Sequence, residues 1–238
     1  EEGTPGAIVH VSTPHWEGTW TRGTADLETG RPIAVGDTFR IASITKTFTA
    51  TVVLQLVDEE LLSLEDTLSQ FNGGFGVPLA DQITVRQLLN HTSGLGDWTE
   101  STGFWADSCP RTPADYLLVG WSPQSMVDLA VSVGHSQPGT GFEYEDTNYI
   151  LLGMIVEWLT DGEVTGSGLP RQIRDRILIP LGLNETVYPL NSALPGTPVH
   201  GYWVPAEFSE LCPSWSIYTA LSDGTEYNPS REFGCGAM

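Results

Sequence analysis

The sequence predicts an α+β fold, an antiparallel sheet flanked by helices with a mainly helical region beside it. Three observations carry that expectation. Two extended runs, "AIVHVS" (7–12) and "GTWTRGTAD" (18–26), are joined by a turn containing Pro14 and Trp16 and read as a β-hairpin. From Thr45 to Glu60, Phe48, Val52, Val53, Leu56 and Val57 keep helical spacing, so one face of a helix is apolar. The same period returns in "SPQSMVDLAVSV" (122–133), which opens on Ser-Pro, and in "TNYILLGMIVEWLT" (147–160).

The remaining elements follow in chain order. Gly30, Pro32 and Gly36 break the segment between the hairpin and Ser43, which reads as a loop. "LLSLEDTLSQF" (61–71) reads as a short strand-like piece and "ITVRQLLNHTSGL" (83–95) as a helix stopped by Gly94. Residues 97–121 have little periodicity but hold three Trp and a Cys. Ordered loops of that length often form lids or walls of a cleft, which makes Trp98 a candidate substrate-binding wall. "EVTGSG" is a loop, "PRQIRDRILIPLGL" a helix broken at Pro180, and residues 191–238 are Pro-, Ser- and Trp-rich and mostly irregular.

Composition narrows the function. Thirty acidic side chains against ten basic ones give a net charge of −20, and no Lys/Arg cluster exists to bind phosphates. Nucleic acid and anionic membrane surfaces are therefore poor partners, and the charge reads as an adaptation for solubility or high salt. The best apolar stretch, Ile150 to Leu159, is too short for a membrane span and carries Glu157. The chain opens Glu1-Glu2 with no apolar leader, which fits a mature form of a secreted or extracytoplasmic protein. Cys109, Cys212 and Cys235 are odd in number without C-x-x-C spacing, so one disulfide and one free thiol fit, with the pairing open. The five histidines show no ligand spacing, and neither a metal site nor a cofactor is expected.

The candidate chemistry lies in "FRIASITKTFTA". Lys46 is the only lysine in the chain, and Ser43 precedes it by three. With 18 serines in 238 residues, that spacing arises by chance in roughly one such chain in thirteen. A capping serine followed by a first-turn lysine is the more ordinary explanation of that spacing taken alone. The chemical alternative is specific. On a helix the two side chains share a face. A serine hydroxyl needs a base to become a nucleophile, and a buried lysine amine, unlike a guanidinium, is readily tuned to that task. A helix N-terminus also presents N–H groups to developing negative charge.

Two further stretches decide between these readings. "ITVRQLLNHTSGL" and "GFEYEDTNYILLGMIVEWLT" (141–160), downstream of "FRIASITKTFTA", resemble the successive signatures of the penicillin-binding and serine β-lactamase superfamily. The similarity is to the branch of class C β-lactamases, soluble D-alanyl-D-alanine carboxypeptidases and related esterases, and S-x-x-K is that superfamily's nucleophile motif. The resemblance runs from about Gly6 to the last residue. It implies a β-lactamase/transpeptidase-like fold. Residues 1–62 would be the N-terminal part of the α/β sandwich domain with the nucleophile helix, and 63–238 a mainly helical domain with cleft loops. Ser43 would be the nucleophile and Lys46 its general base or proton shuttle. Tyr144 would share acid/base work with the lysine and protonate the leaving group. His91, in "HTSGL", reads as a buttressing structural residue. The implied reaction is acyl transfer from a small peptide, amide or ester to Ser43 and then to water or an amine. It would be of the D-alanyl-D-alanine carboxypeptidase or D-aminopeptidase/amidase type, with a β-lactamase-like esterase as the alternative.

Two departures from the family pattern stand out. "YEDTNY" aligns with the family's "YSNTNY", so Asp146 occupies the place of the asparagine that donates to the substrate carbonyl and touches the lysine. A carboxylate does not donate unless protonated, and it favours the lysine's ammonium form. Asp146 is therefore either a substrate-binding group for a cationic amine or the mark of a catalytically silent scaffold. The family's third motif, Lys/His-Thr-Gly, is absent, and "FGCGAM" (233–238) resembles a run that the family continues. The chain thus reads as an N-terminal portion, with three strands of a five-stranded sheet absent. Because an isolated hairpin is marginal in water, a second polypeptide, the C-terminal fragment of the same precursor, is expected to complete it, released by autoproteolysis or by clipping.

Overall fold

The computed structural model describes residues 4–104, 120–190, 194–203 and 222–223. Strands β1 (Gly6–Thr13) and β2 (Trp16–Asp26) form the expected antiparallel hairpin, with Thr13 paired to Trp16 across the two-residue link Pro14–His15. The Thr13 hydroxyl stitches this turn, accepting from the Trp16 N–H at 3.0 Å and donating to the Trp16 carbonyl at 2.9 Å. Val9 pairs with Trp20 and Val11 with Gly18, so the apolar side chains share one face with Trp16. Trp16 and Trp20 stack at 5.2 Å across Gly18, where a Cβ would lie 2.6 Å from the Trp16 ring. Beyond a bulge between Thr24 and Asp26, β3 (Arg31–Pro32) pairs with β2 to give a three-stranded antiparallel sheet that does not close.

Residues 195–200 run beside this sheet. Thr38 exchanges hydrogen bonds with Thr197 and Val199, and the His200 N–H donates to the Ala25 carbonyl at 2.8 Å. Arg31 spans the junction, donating to Asp37 and, at 2.6 Å, to the Pro198 carbonyl. A separate two-stranded ladder joins β4 (Tyr202–Trp203) to β5 (Ser222–Asp223), short strands within a stretch expected to be irregular.

The helical part is built around one element. Helix α1 (Thr45–Asp58) follows the Ser43 segment, and α2 (Val85–Leu89) opens on a Thr84/Gln87 capping box. Helix α3 (Pro123–Val133) is capped by Ser122, whose oxygen accepts the Ser125 N–H. Helix α4 (Asp146–Asp161) runs through the centre, and α5 (Gly168–Ile173) continues into one wide turn over Arg174–Leu178 that ends before Pro180. α4 contacts α1, α2, α3 and α5, and every residue from Thr147 to Glu157 is buried. Glu157, an acid in this apolar surrounding, is tied to the following loop. Its carboxylate accepts the N–H groups of Thr165, Gly166 and Leu169 at 2.8–2.9 Å, which satisfies the buried charge.

Two expectations are corrected. Residues 61–71 form no strand. The Asp66 carboxylate accepts the Ser63 N–H at 2.8 Å, and this turn sends Leu62, Leu68 and Phe71 into the core from irregular backbone. The helix in 83–95 is five residues long and ends well before Gly94, because His91 turns into the left-handed region at φ 59°. Residues 105–119 of the loop expected to wall a cleft, and all three cysteines, lie outside the described residues. Among the described residues no helix is long and apolar enough to cross a membrane.

Candidate active site

The approach to Ser43 is bent before it is helical. Ala42 adopts φ 45°, unusual for a residue with a Cβ, and a single 3₁₀ turn over Ala42–Ile44 then leads into α1. Ser43 is exposed at this bend, and Lys46 lies beneath it, only 5 % exposed. Lys46 Nζ donates to Ser43 Oγ at 3.0 Å. Ser43 makes no capping bond to α1, so the reading of an ordinary capping serine does not hold. The i, i+3 spacing brings the two groups together across the junction of the 3₁₀ turn with α1.

The second group on the lysine comes from a distant part of the chain. Asp146, the first residue of α4, accepts from Lys46 Nζ through Oδ1 at 2.6 Å. The α1–α4 contact makes this pairing across a hundred residues of sequence. Asp97 orients Asp146 in turn. Its Oδ2 accepts the Asp146 N–H at 2.8 Å, while its Oδ1 accepts the N–H and hydroxyl of Thr99.

Aromatic rings cover the other sides of the lysine. Nζ sits 4.8 Å from the Tyr144 ring centre and 5.8 Å from that of Tyr149. Such contacts favour the cation. Tyr144 is half exposed and presents its ring face to Lys46. The imidazole of His91 stacks on both tyrosines, at 4.5 and 5.3 Å. Trp98 corrects a sequence expectation. It lies in the core, 1 % exposed, edge-on to Phe104 at 4.9 Å and tilted against Trp121, and offers no open wall to a substrate. Its large apolar ring gains more from this cluster than from water.

Several acidic groups crowd the start of α4. Glu145 has its pKa pushed up to about 8, first by burial, then by the charge of Asp97 and a hydrogen bond to it, and further by Glu100 and Glu143. His91 is shifted the other way: burial, then the Lys46 charge, hold its pKa below the usual value, opposed in part by Asp146. Burial raises the Tyr149 hydroxyl, with Lys46 pulling it back. Among the described residues no cluster of three His, Cys, Asp or Glu side chains has the arrangement to hold a metal ion.

The arrangement offers a solvent-reachable hydroxyl, an amine within hydrogen-bond distance of it and a carboxylate on that amine. This is the equipment of nucleophilic catalysis on a carbonyl. The family profile described as Beta-lactamase matches residues 1–215. The chain belongs to the Beta-lactamase family. As a member of that family it shares its β-lactamase/transpeptidase-like fold. It is similar to the D-stereospecific amidohydrolase from Streptomyces sp., with 31 % identity and a TM-score of 0.81 over 99 % of this chain and 64 % of that one. It is also similar to the D-amino acid amidase from Ochrobactrum anthropi SV3, with 28 % identity and a TM-score of 0.75 over 97 % of this chain and 59 % of that one. Among curated proteins, penicillin-binding protein 4 of Amycolatopsis lactamdurans is 33 % identical over 192 residues, 79 % of this chain and 45 % of that protein.

The chain thus spans about half the length, or less, of the curated relatives it matches. The comparisons give no support to a second polypeptide.

Asp97, Glu145, Tyr149 and Asn148 belong to the site's surroundings and escaped the sequence reading. The only signal for them was proximity, since Asp97 follows "HTSGLG" and the others flank the Tyr144–Asp146 pair.

Proposed function

We propose that this member of the Beta-lactamase family is a serine amidase or peptidase that works through an acyl-enzyme on Ser43. The observation that carries the reading is the Lys46 Nζ–Ser43 Oγ hydrogen bond of 3.0 Å, made by the only lysine in the chain. Ser43 Oγ attacks the amide carbonyl and its proton passes to Lys46. The C–N bond then breaks, and the amine leaves with a proton delivered through Lys46 and Tyr144. Water hydrolyses the ester and regenerates Ser43. In this reading Ser43 belongs to the 1–62 part and faces the helical remainder across the Lys46–Asp146 contact.

The substrate class follows from two supports. The amidohydrolase and the D-amino acid amidase, both more than 25 % identical, act on amides by their names. The acidic groups at the head of α4, Asp146, Asp97 and Glu143, suit a substrate with a free amine. We favour small D-amino acid amides or peptides of the D-aminopeptidase type over D-alanyl-D-alanine ends, which bring a carboxylate into an acidic site.

The Asp146 substitution has a chemical consequence. At 2.6 Å from Nζ its carboxylate pairs with Lys46 where the family's asparagine would offer a neutral amide. Asp146→Asn removes that charge and places the family's amide beside the lysine, and a changed kcat/KM for amide hydrolysis is the expected outcome. The same ion pair supports one rival reading, a catalytically silent scaffold. Mass spectrometry after incubation with a fluorophosphonate or a β-lactam separates the two. An adduct on Ser43, with hydrolysis of amides in preference to esters, supports the amidase, whereas an unmodified Ser43 at every pH supports the scaffold.

A further inference from the structure

The segment that carries Tyr144 is fastened at two points to one residue. The Glu143 N–H donates to the His91 carbonyl at 3.0 Å, and the Glu145 N–H donates to His91 Nδ1 at 3.2 Å. Tyr144 lies between these anchors, and its ring stacks on the imidazole they surround, centroids 4.5 Å apart. Tyr149 stacks on the same imidazole and Phe142 meets it edge-on at 6.0 Å. A backbone N–H only donates, so Nδ1 must be an acceptor and the ring neutral, with its proton on Nε2. Asn148 Nδ2 lies 3.3 Å from the same nitrogen, and the Ser93 hydroxyl fixes that amide by donating to Asn148 Oδ1 at 2.5 Å. His91 achieves this in the left-handed region, a conformation that a residue with a Cβ holds only when its surroundings enforce it.

We propose that His91 is a positioning residue for Tyr144, a neutral acceptor and stacking surface whose protonation releases residues 143–145 and adds an acid-side loss of activity at its own midpoint. The inference rests on the reading of Ser43, Lys46 and Tyr144 as the reacting groups. The charged and titratable groups around the imidazole are Lys46 from α1, Asp146 and Tyr149 from α4, and Tyr144 and Glu145 from the segment before α4. Burial and the Lys46 charge keep its pKa below the usual 6.5, with Asp146 acting in the opposite sense, so the ring stays neutral at neutral pH. A proton on Nδ1 would face the Glu145 N–H donor to donor and add a second cation beside Lys46. Tyr144 would then lose both its anchor and its stacking partner's register.

Two variants separate the acceptor from the ring. His91→Asn keeps an acceptor oxygen and tolerates a positive φ, while His91→Phe keeps a stacking ring and loses the acceptor. In the protein with labelled tyrosine and histidine rings, an NMR titration from pH 8 to pH 4 reads both groups directly. The Tyr144 resonances are expected to move with the His91 midpoint, below 6.5, and to stay flat over that range in His91→Asn. In kinetics, His91→Asn is expected to lower kcat by roughly 10- to 100-fold with KM nearly unchanged, and to lose the acid limb that follows His91. Tyr144 resonances indifferent to His91 ionisation would overturn the proposal, as would a His91→Asn pH profile that superimposes on the wild type. If the wild-type protein neither hydrolyses amides nor labels at Ser43, the hydrolase reading fails, and the NMR titration still decides whether His91 holds Tyr144.

Discussion

Helix α4 and strand β2 invite comparison because each contains a run of eleven residues placed differently toward water. In α4 all of Thr147 to Glu157 are buried, whereas in the eleven residues of β2 only Ala25 and Asp26 are. The hairpin satisfies its own backbone through the β1–β2 ladder, but it leaves Val9, Val11, Trp16 and Trp20 exposed on one face. A hairpin so placed is supported mainly by its turn and its cross-strand pairs. The helix gains its stability from being surrounded. The Lys46–Asp146 contact spans α1 and α4, so the site's geometry is supported by the buried part of the molecule and is largely independent of the exposed sheet.

The comparison is tested most strongly at the site itself. Ser43→Ala is expected to reduce hydrolysis at least 10⁴-fold, in the range seen when a serine nucleophile is removed, while thermal unfolding stays within a degree or two of wild type. A large loss of stability on that change would mean that the exposed bend at Ser43 supports the helical body. Leu151→Ala, in the buried run of α4, is expected to cost about 2–5 kcal/mol in denaturant unfolding. Glu157→Ala strands three N–H groups and is expected to cost about 3 kcal/mol; a small effect there would show that the 162–168 loop is not held by the carboxylate.

Glu145→Gln reads the electrostatics at the head of α4. Folded Glu145 keeps its proton to about pH 8, while the unfolded chain releases it near 4.5. Between those values the unfolded state binds fewer protons, so Glu145's contribution to stability is full below 4.5 and is lost as pH rises through 8. Glutamine donates to Asp97 at every pH and is expected to flatten that decline, measured as unfolding free energy against pH. The smallest effect belongs to the hairpin. Trp20→Ala is expected to cost about 0.5–1 kcal/mol, mostly the stack on Trp16. A loss as large as that of Leu151→Ala would show that the exposed face is an integral part of the core.

Much of the architecture was legible because it rests on local periodicity. The hairpin, α1, α3 and α4 all fall where alternation or helical spacing places them, within a few residues. The failures share a cause. In 61–71 the Ser63–Asp66 turn imitates strand-like alternation, and in 83–95 the helix yields at His91, whose carbonyl and ring are committed to residues 143–145. Trp98 departs from expectation because an aromatic residue in an aperiodic stretch suits a cleft wall as well as a core, and the absence of periodicity does not distinguish the two.

The sequence by itself determined that Ser43 and Lys46 meet. The three-residue spacing brings them together across the 3₁₀ turn that leads into α1, so the observed 3.0 Å contact is a local one. It also determined that Asp146 stands where the family has an asparagine. Only the tertiary structure decided what that carboxylate does. It lies a hundred residues from Lys46, and the α1–α4 packing brings it to 2.6 Å from the amine. The same holds for Asp97 on the Asp146 N–H and for His91 under Tyr144. Contacts of that range depend on how helices pack and which backbone groups need partners, and local spacing carries no record of either.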